Sequence, residues 1–88
     1  MGRFDGKVLF VTGAGSGIGA ETARRFAAEG GLVAAADLDG GAADAIASEL
    51  DGSIAFACDV ANETSVNEAV AAARAQLGGI DCVFNSAG

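Results

Sequence analysis

The chain contains no histidine, tryptophan or tyrosine, and phenylalanine is its only aromatic residue. Its two cysteines are Cys58 and Cys82. That set does not make a zinc centre, which usually takes four Cys or His ligands. The cysteines are also too far apart in sequence for a CxxC redox pair, and both read as structural thiols. Basic residues are scarce: five Lys and Arg against twelve Asp and Glu leave a net charge of −7. Nucleic acid and anionic membranes need clustered positive charge, so neither is an expected partner. The acidity reads as a soluble surface. No apolar run approaches the roughly 20 residues needed to span a bilayer. Met1-Gly2-Arg3-Phe4-Asp5 has no long apolar core of the secretory kind, and Gly6 breaks a myristoylation pattern. The expected location is the cytoplasm.

Hydrophobic residues nevertheless make up 51% of the 88. That argues against disorder and, at this length, for one small domain at most. Alanine and glycine dominate, so a closely packed, thin-walled core is expected. A chain this short buries only roughly 60% of its unfolded surface, which makes independent stability marginal.

The stretch that organises the chain is Thr12-Gly13-Ala14-Gly15-Ser16-Gly17-Ile18-Gly19. It follows a short apolar run over 7–12, of the kind buried on both faces of a parallel sheet. It opens an amphipathic helix from about Gly17 to Gly30, with Ile18, Ala23, Phe26 and Ala27 on one stripe. Strand, glycine turn and helix is the context in which such a segment binds phosphate. Glycine lets the backbone turn and approach, and the helix start offers unpaired N–H groups and a positive dipole end. Gly30-Gly31 ends the helix.

A second strand is expected over 32–36 and a second helix from Asp39 to Leu50, with Ala42, Ala45, Ile46 and Leu50 inward. A third strand covers Ile54 to Ala57. The third helix, Asn62 to Leu77, has Val66, Ala69, Val70, Ala73 and Leu77 at helical spacing. Its N-cap is Asn62 or, one turn later, a capping box at Ser65. Gly78-Gly79 stops it, and a fourth strand runs from Ile80 to Phe84. The order βαβαβαβ implies an α/β fold, a Rossmann-type doubly wound parallel sheet with spatial order 3-2-1-4. That order separates Cys58 from Cys82 by three strand spacings, roughly 14 Å. A disulfide needs Cα atoms within about 7 Å, so none is expected.

A ligand would sit beyond the strand ends, at the switch between strands 1 and 4. There the strands end in the glycine loop, Asp37, Asp59 and Asn85. A carboxylate at Asp37 is placed to accept from a ribose diol and to repel a 2′-phosphate, which favours NAD over NADP. No Arg or Lys lies in the loop or just after Asp37 to hold that phosphate. The alternative for Asp37 is an ordinary strand-end or capping acid, and for Asp59 a loop acid or a cap before the third helix.

These motifs together resemble the short-chain dehydrogenase/reductase family. The glycine stretch resembles its TGxxxGIG signature, Asp59-Val60 its adenine-contacting pair, and Asn85-Ser86-Ala87-Gly88 its NNAG motif with Ser at the second place. The resemblance implies NAD binding by Gly13, Gly15, Ser16, Gly17, Ile18, Asp37, Leu38, Asp59, Val60, Asn85, Ala87 and Gly88. In it, Gly13 makes the turn, Gly17 admits the pyrophosphate and Gly19 permits close helix–strand packing. Ser16 and the Ile18 amide face ribose and phosphate, Leu38 lies against adenine, Asp59 takes the adenine amino group, and the Val60 amide meets the ring. Asn85 braces the central strands, and Ala87-Gly88 pass near the adenosine ribose. Ser86 is a minor departure, a small polar residue that fits the same turn.

The family's chemistry rests on Tyr-x-x-x-Lys, assisted by Ser and Asn. This chain has no tyrosine, and its one lysine is Lys7. No residue is therefore assigned as catalytic and none as a metal ligand. The resemblance implies an NAD(H)-dependent alcohol/ketone oxidoreductase, commonly a homo-oligomer. Residues 1–88 would be its cofactor half, a domain incomplete at the C-terminus and inactive alone. The alternatives are a nucleotide-binding module without catalysis, or an assembly fragment. Strand 4 would be an open edge, which invites pairing with another chain. An isolated 88-residue chain is expected to be unstable or to self-associate in sizing and thermal unfolding; a monodisperse monomer with a cooperative melt is the contrary result.

Overall fold

The computed structural model describes residues 2–86. Strands and helices alternate along them as β1 (Val8–Thr12), α1 (Gly17–Ala28), β2 (Leu32–Asp37), α2 (Gly40–Ala47), β3 (Ile54–Ala57), α3 (Glu63–Leu77) and β4 (Cys82–Asn85). All pairings are parallel and the order is β3-β2-β1-β4. This is the expected Rossmann-type sheet. The chain steps outward from β1 to β3, then returns through α3 to the far side of β1. The reversal leaves a gap between the connections that follow β1 and β4.

Alternation along the strands sorts the core into two faces. Leu9, Val11, Val33 and Ala35 pack with Ala20, Ala23 and Phe26 of α1 and Ile46 and Ala47 of α2. Phe10, Ala34 and Ala36 pack on the other face with Cys58 and with Ala69 and Ala73 of α3. The register sets Phe10 beside Ala34, a large side chain against a small one. All five β1 residues are buried, which is why the run has no polar alternation.

Each helix begins on a side-chain cap. Ser16 Oγ accepts from the Gly19 amide, Asp39 accepts from the Gly41 and Ala42 amides, and Asn62 Oδ1 accepts from the Ser65 amide. Asn62 is thus the N-cap of α3. Helix α1 ends at Glu29, followed by Gly30 at φ +91°, and α3 ends at Gly78 at φ +86°. Both angles lie in the left-handed region that glycine occupies without strain.

Two helix faces differ from the sequence reading. Ile18 is 70% exposed rather than on the α1 core stripe, because it lies in the first turn, beyond the sheet. In α2 the buried residues are Ala43, Ile46 and Ala47. Ala45 is exposed, while Ala42 and Leu50 are half-buried. Alanine carries so little hydrophobic contrast that rotating the stripe by one residue barely changes its pattern. β4 starts at Cys82 rather than Ile80. The Val8 amide donates to the Asp81 carboxylate at 2.8 Å, so a side chain stands in for a strand carbonyl there. The cysteines are free, Cys58 buried and Cys82 exposed.

Arg24 binds Glu49 through Nε at 3.0 Å and Nη2 at 3.2 Å, joining α1 to the segment after α2. The hydrogen bond holds the Glu49 carboxyl below its ordinary range and raises Arg24. A lowered carboxyl contributes above its unfolded value and loses that contribution as pH falls through its folded value. Both groups are exposed, so this tie is weak. The core carries the stability. Phe26 stacks on Phe4 with ring centroids 4.5 Å apart, and Phe26→Ala should cost about 3–5 kcal/mol in urea unfolding. Ile18→Ala, at an exposed site, should stay within about 0.5 kcal/mol.

Candidate functional site

The strands present their C-terminal ends at one rim, over a cleft of about 570 Å³. Gly13, Ser16, Asp37, Leu38, Asp59 and Val60 line it, all singled out in the sequence. Cys58 and Ser86 line it too. Of the other expected residues, Gly15, Gly17 and Ile18 lie in the adjoining loop and first turn, and Asn85 ends β4. Ala87 and Gly88 lie outside the described residues. A second hollow of about 460 Å³ lies between Arg24, Leu32 and Glu49, away from the strand ends. Its guanidinium and carboxylate are already paired with each other.

The loop after β1 is built by backbone geometry. Gly13 takes φ +67°, and Ser16 N–H donates back to its carbonyl at 2.9 Å. Ala14 is fully buried and donates to the Ala36 carbonyl at 3.0 Å, pinning the loop across β2. A Cβ at Gly19 would run into the Gly13 carbonyl and stand 2.6 Å from Ser86 Oγ. A Cβ at Gly15 would stand 2.5 Å from Ala42 Cβ and 3.1 Å from Asp37 Oδ2. At Gly17 a Cβ would meet nothing within 4 Å. That last position opens to the space in front of α1, whose first N–H groups have no intrahelical partner.

The two carboxylates are held by amides. Asp37 Oδ2 accepts from Gly15 N–H at 2.9 Å, and Oδ1 accepts from Asp39 N–H at 2.9 Å. Asp59 Oδ1 accepts from Ala61 N–H at 2.9 Å. Leu38 and Val60, 74% and 43% exposed, are the apolar side chains beside these acids. Across the rim, Thr12 Oγ1 donates to Asn85 Oδ1 at 2.7 Å, joining the ends of β1 and β4.

Sequence reasoning missed two positioning groups. Ser65, weighed only as a rival cap, accepts the Asp59 N–H on its Oγ at 3.0 Å and so fixes the Asp59-Val60 backbone. Ser86 donates to the Thr12 carbonyl at 2.7 Å and lies 3.1 Å from the Gly13 carbonyl. Its place in the Asn85-Ser86 pair was the available signal. Among the described residues no group of three or more His, Cys, Asp or Glu side chains is arranged to hold a metal ion. No helix among them is long and apolar enough to cross a membrane.

The model of the short chain dehydrogenase family matches residues 7–88. D-threitol dehydrogenase of Mycolicibacterium smegmatis is 49% identical over 90 residues, covering 98% of this chain and 35% of that protein. Among solved structures, NAD+-bound xylitol dehydrogenase aligns with a TM-score of 0.91 at 36% identity, over 98% of this chain and 35% of its own. The 3-ketoacyl-(acyl-carrier-protein) reductase of Brucella melitensis, complexed with NADH, aligns with a TM-score of 0.88 at 40% identity, over 92% of this chain and 34% of its own. The chain thus spans about a third of the length of the relatives it matches.

The glycines of the loop separate by role in an unfolding experiment. Gly19→Ala forces α1 off the β1 turn and should lower stability by about 1–3 kcal/mol. Gly17→Ala has room and a helical backbone, and should be neutral or stabilising by up to about 1 kcal/mol.

Proposed function

This chain belongs to the short-chain dehydrogenase family, and we propose that its 88 residues form the NAD(H)-binding part of an enzyme that interconverts an alcohol and a ketone. The observation that carries this reading is the Asp37 carboxylate, bonded to the glycine loop through Gly15 N–H and facing the cleft beside Leu38. A carboxylate there accepts the hydroxyls of an adenosine ribose and repels a 2′-phosphate. With no Lys or Arg in the loop or just after Asp37, NAD(H) is preferred to NADP(H).

The rest of the cleft suits the same ligand. Gly17 leaves space in front of α1, where the Gly17 and Ile18 amides and the helix dipole receive a pyrophosphate. Ser16 Oγ adds a donor on the ribose and phosphate side. Leu38 and Val60 give the adenine ring apolar surfaces, which accounts for two large side chains left in water. Asp59 keeps one oxygen on the Ala61 amide, and its other oxygen takes the adenine amino group. Gly13 and Gly15 shape the loop, and Asn85 braces it against β4. When bound, the nicotinamide supplies hydride transfer.

No side chain here is assigned to move the substrate proton, since the chain holds no tyrosine and its lone lysine, Lys7, precedes β1. We place that step in a further portion of the polypeptide and treat residues 1–88 as an incomplete Rossmann domain, inactive alone. The missing tyrosine also favours a second reading, a nucleotide-binding module without catalysis. The full reading includes a small-molecule alcohol or ketone substrate, a homo-oligomer and a cytoplasmic site of action.

Turnover of alcohols with NAD+ by the native gene product separates the two readings. Fluorescence titration tests the cofactor: NADH should bind more tightly than NADPH. Asp37→Ala should weaken NADH roughly tenfold or more and narrow its advantage, because it removes charge-assisted hydrogen bonds. A wild type that prefers NADPH refutes the role given to Asp37. Gly17→Ala should weaken NADH without loss of stability.

A further inference from the structure

Both oxygens of Asp37 are held. The Asp39 N–H reaches Oδ1 and the Gly15 N–H reaches Oδ2, each at 2.9 Å. A carboxylate offers about four lone-pair positions, two on each oxygen. One on each oxygen is therefore taken, and one on each remains for the cleft. Two adjacent acceptors of that kind match the neighbouring hydroxyls of a ribose, which take them in place of solvent.

Both amides depend on the first turn of α2. Asp39 is the N-cap of that helix. Its Oδ1 accepts from the Gly41 N–H at 3.0 Å and the Ala42 N–H at 3.2 Å, and its carbonyl accepts from the Ala42 and Ala43 N–H groups. Ala42 in turn backs the glycine loop, because a Cβ at Gly15 would stand 2.5 Å from the Ala42 Cβ. The turn has little else to hold it. Helix α2 is eight residues long, opens on Gly40-Gly41 and has no acidic residue in its first turn. Glycine is a poor helix former, and so short a helix leans on its cap. Without the Asp39 carboxylate the first turn frays. The Asp39 amide then loses its aim at Oδ1, and Gly15 loses the Ala42 methyl behind it.

We propose that Asp39 is a positioning residue that acts through Asp37: by capping α2 it holds the Asp37 carboxylate ready for the adenosine ribose. The inference rests on the nucleotide-site reading above and adds to it a residue outside the cleft lining.

The test is NADH affinity, read by fluorescence titration of the protein as its own gene encodes it. Asp39→Ala should weaken NADH about threefold to tenfold, the cost of immobilising one loosened side chain on binding. Asp39→Asn, which caps as well without the charge, should bind NADH at least as tightly as wild type does. Asp39→Gly removes the same acceptor at less cost to the helix, so it should show the loss even where Asp39→Ala does not fold. In an Asp37→Ala background neither Asp39→Ala nor Asp39→Gly should cost anything further. Wild-type affinity in Asp39→Gly, an Asp39→Asn protein as weak as Asp39→Gly, or a loss that persists in the Asp37→Ala background would overturn the inference and leave the nucleotide site intact. A wild type that binds neither NADH nor NAD+ removes the site reading itself, and the inference with it.

Discussion

The closeness of α1 to the turn after β1 governs the whole rim. Two positions without a Cβ set it. At the N-terminal end of the helix, Gly19 lies against the Gly13 carbonyl; beyond its C-terminal end, Gly31 lies against the Phe26 ring. Between them Ala20, Ala23 and Phe26 sink into the sheet. The helix start is therefore rigidly placed with respect to the strand ends. That placement aims its free amides at the cleft, and it leaves Ser16 within reach of both the Gly13 carbonyl and Ser86.

Charge at the rim follows from the same frame. The chain carries a net charge of −7, and carboxylates end the second strand and follow the third. Each is anchored by backbone N–H groups rather than by Lys or Arg: Asp37 by Gly15 and Asp39, Asp59 by Ala61. Amide anchoring fixes the direction of a carboxylate without neutralising it. The acids stay available as acceptors, and the cleft keeps a negative sign.

The strand order was legible because buried parallel strands read as short apolar runs between glycine punctuation, and β1 and β2 do so plainly. The rim was legible because the C-terminal end of each strand carries one of these residues: Asp37 and Asn85 close β2 and β4, Gly13 follows β1, and Asp59 lies two residues past β3. What stayed hidden depends on three-dimensional proximity or on weak contrast. The inward face of α2 was misjudged among alanines. Ile18 looked like core but stands in the first turn of α1, outside the sheet. Ser65 and Ser86 stood in a capping box and a motif, but neither pattern named their partners, since a serine's usefulness lies in which amide or carbonyl lies about 3 Å away.

The ties on Asp37 have a thermodynamic side. In the ligand-free protein its oxygens already hold two N–H groups, and the serine hydroxyls already hold two carbonyls. On the nucleotide reading proposed above, a ribose bonded to Asp37 and Ser16 would exchange polar partners at those groups instead of gaining them, so their heat of association would be small. On the same reading the adenine would cover Leu38 and Val60, both exposed in the free chain. Burying apolar surface lowers heat capacity. Calorimetry across temperature would thus record the adenine end of the ligand more clearly than its phosphates.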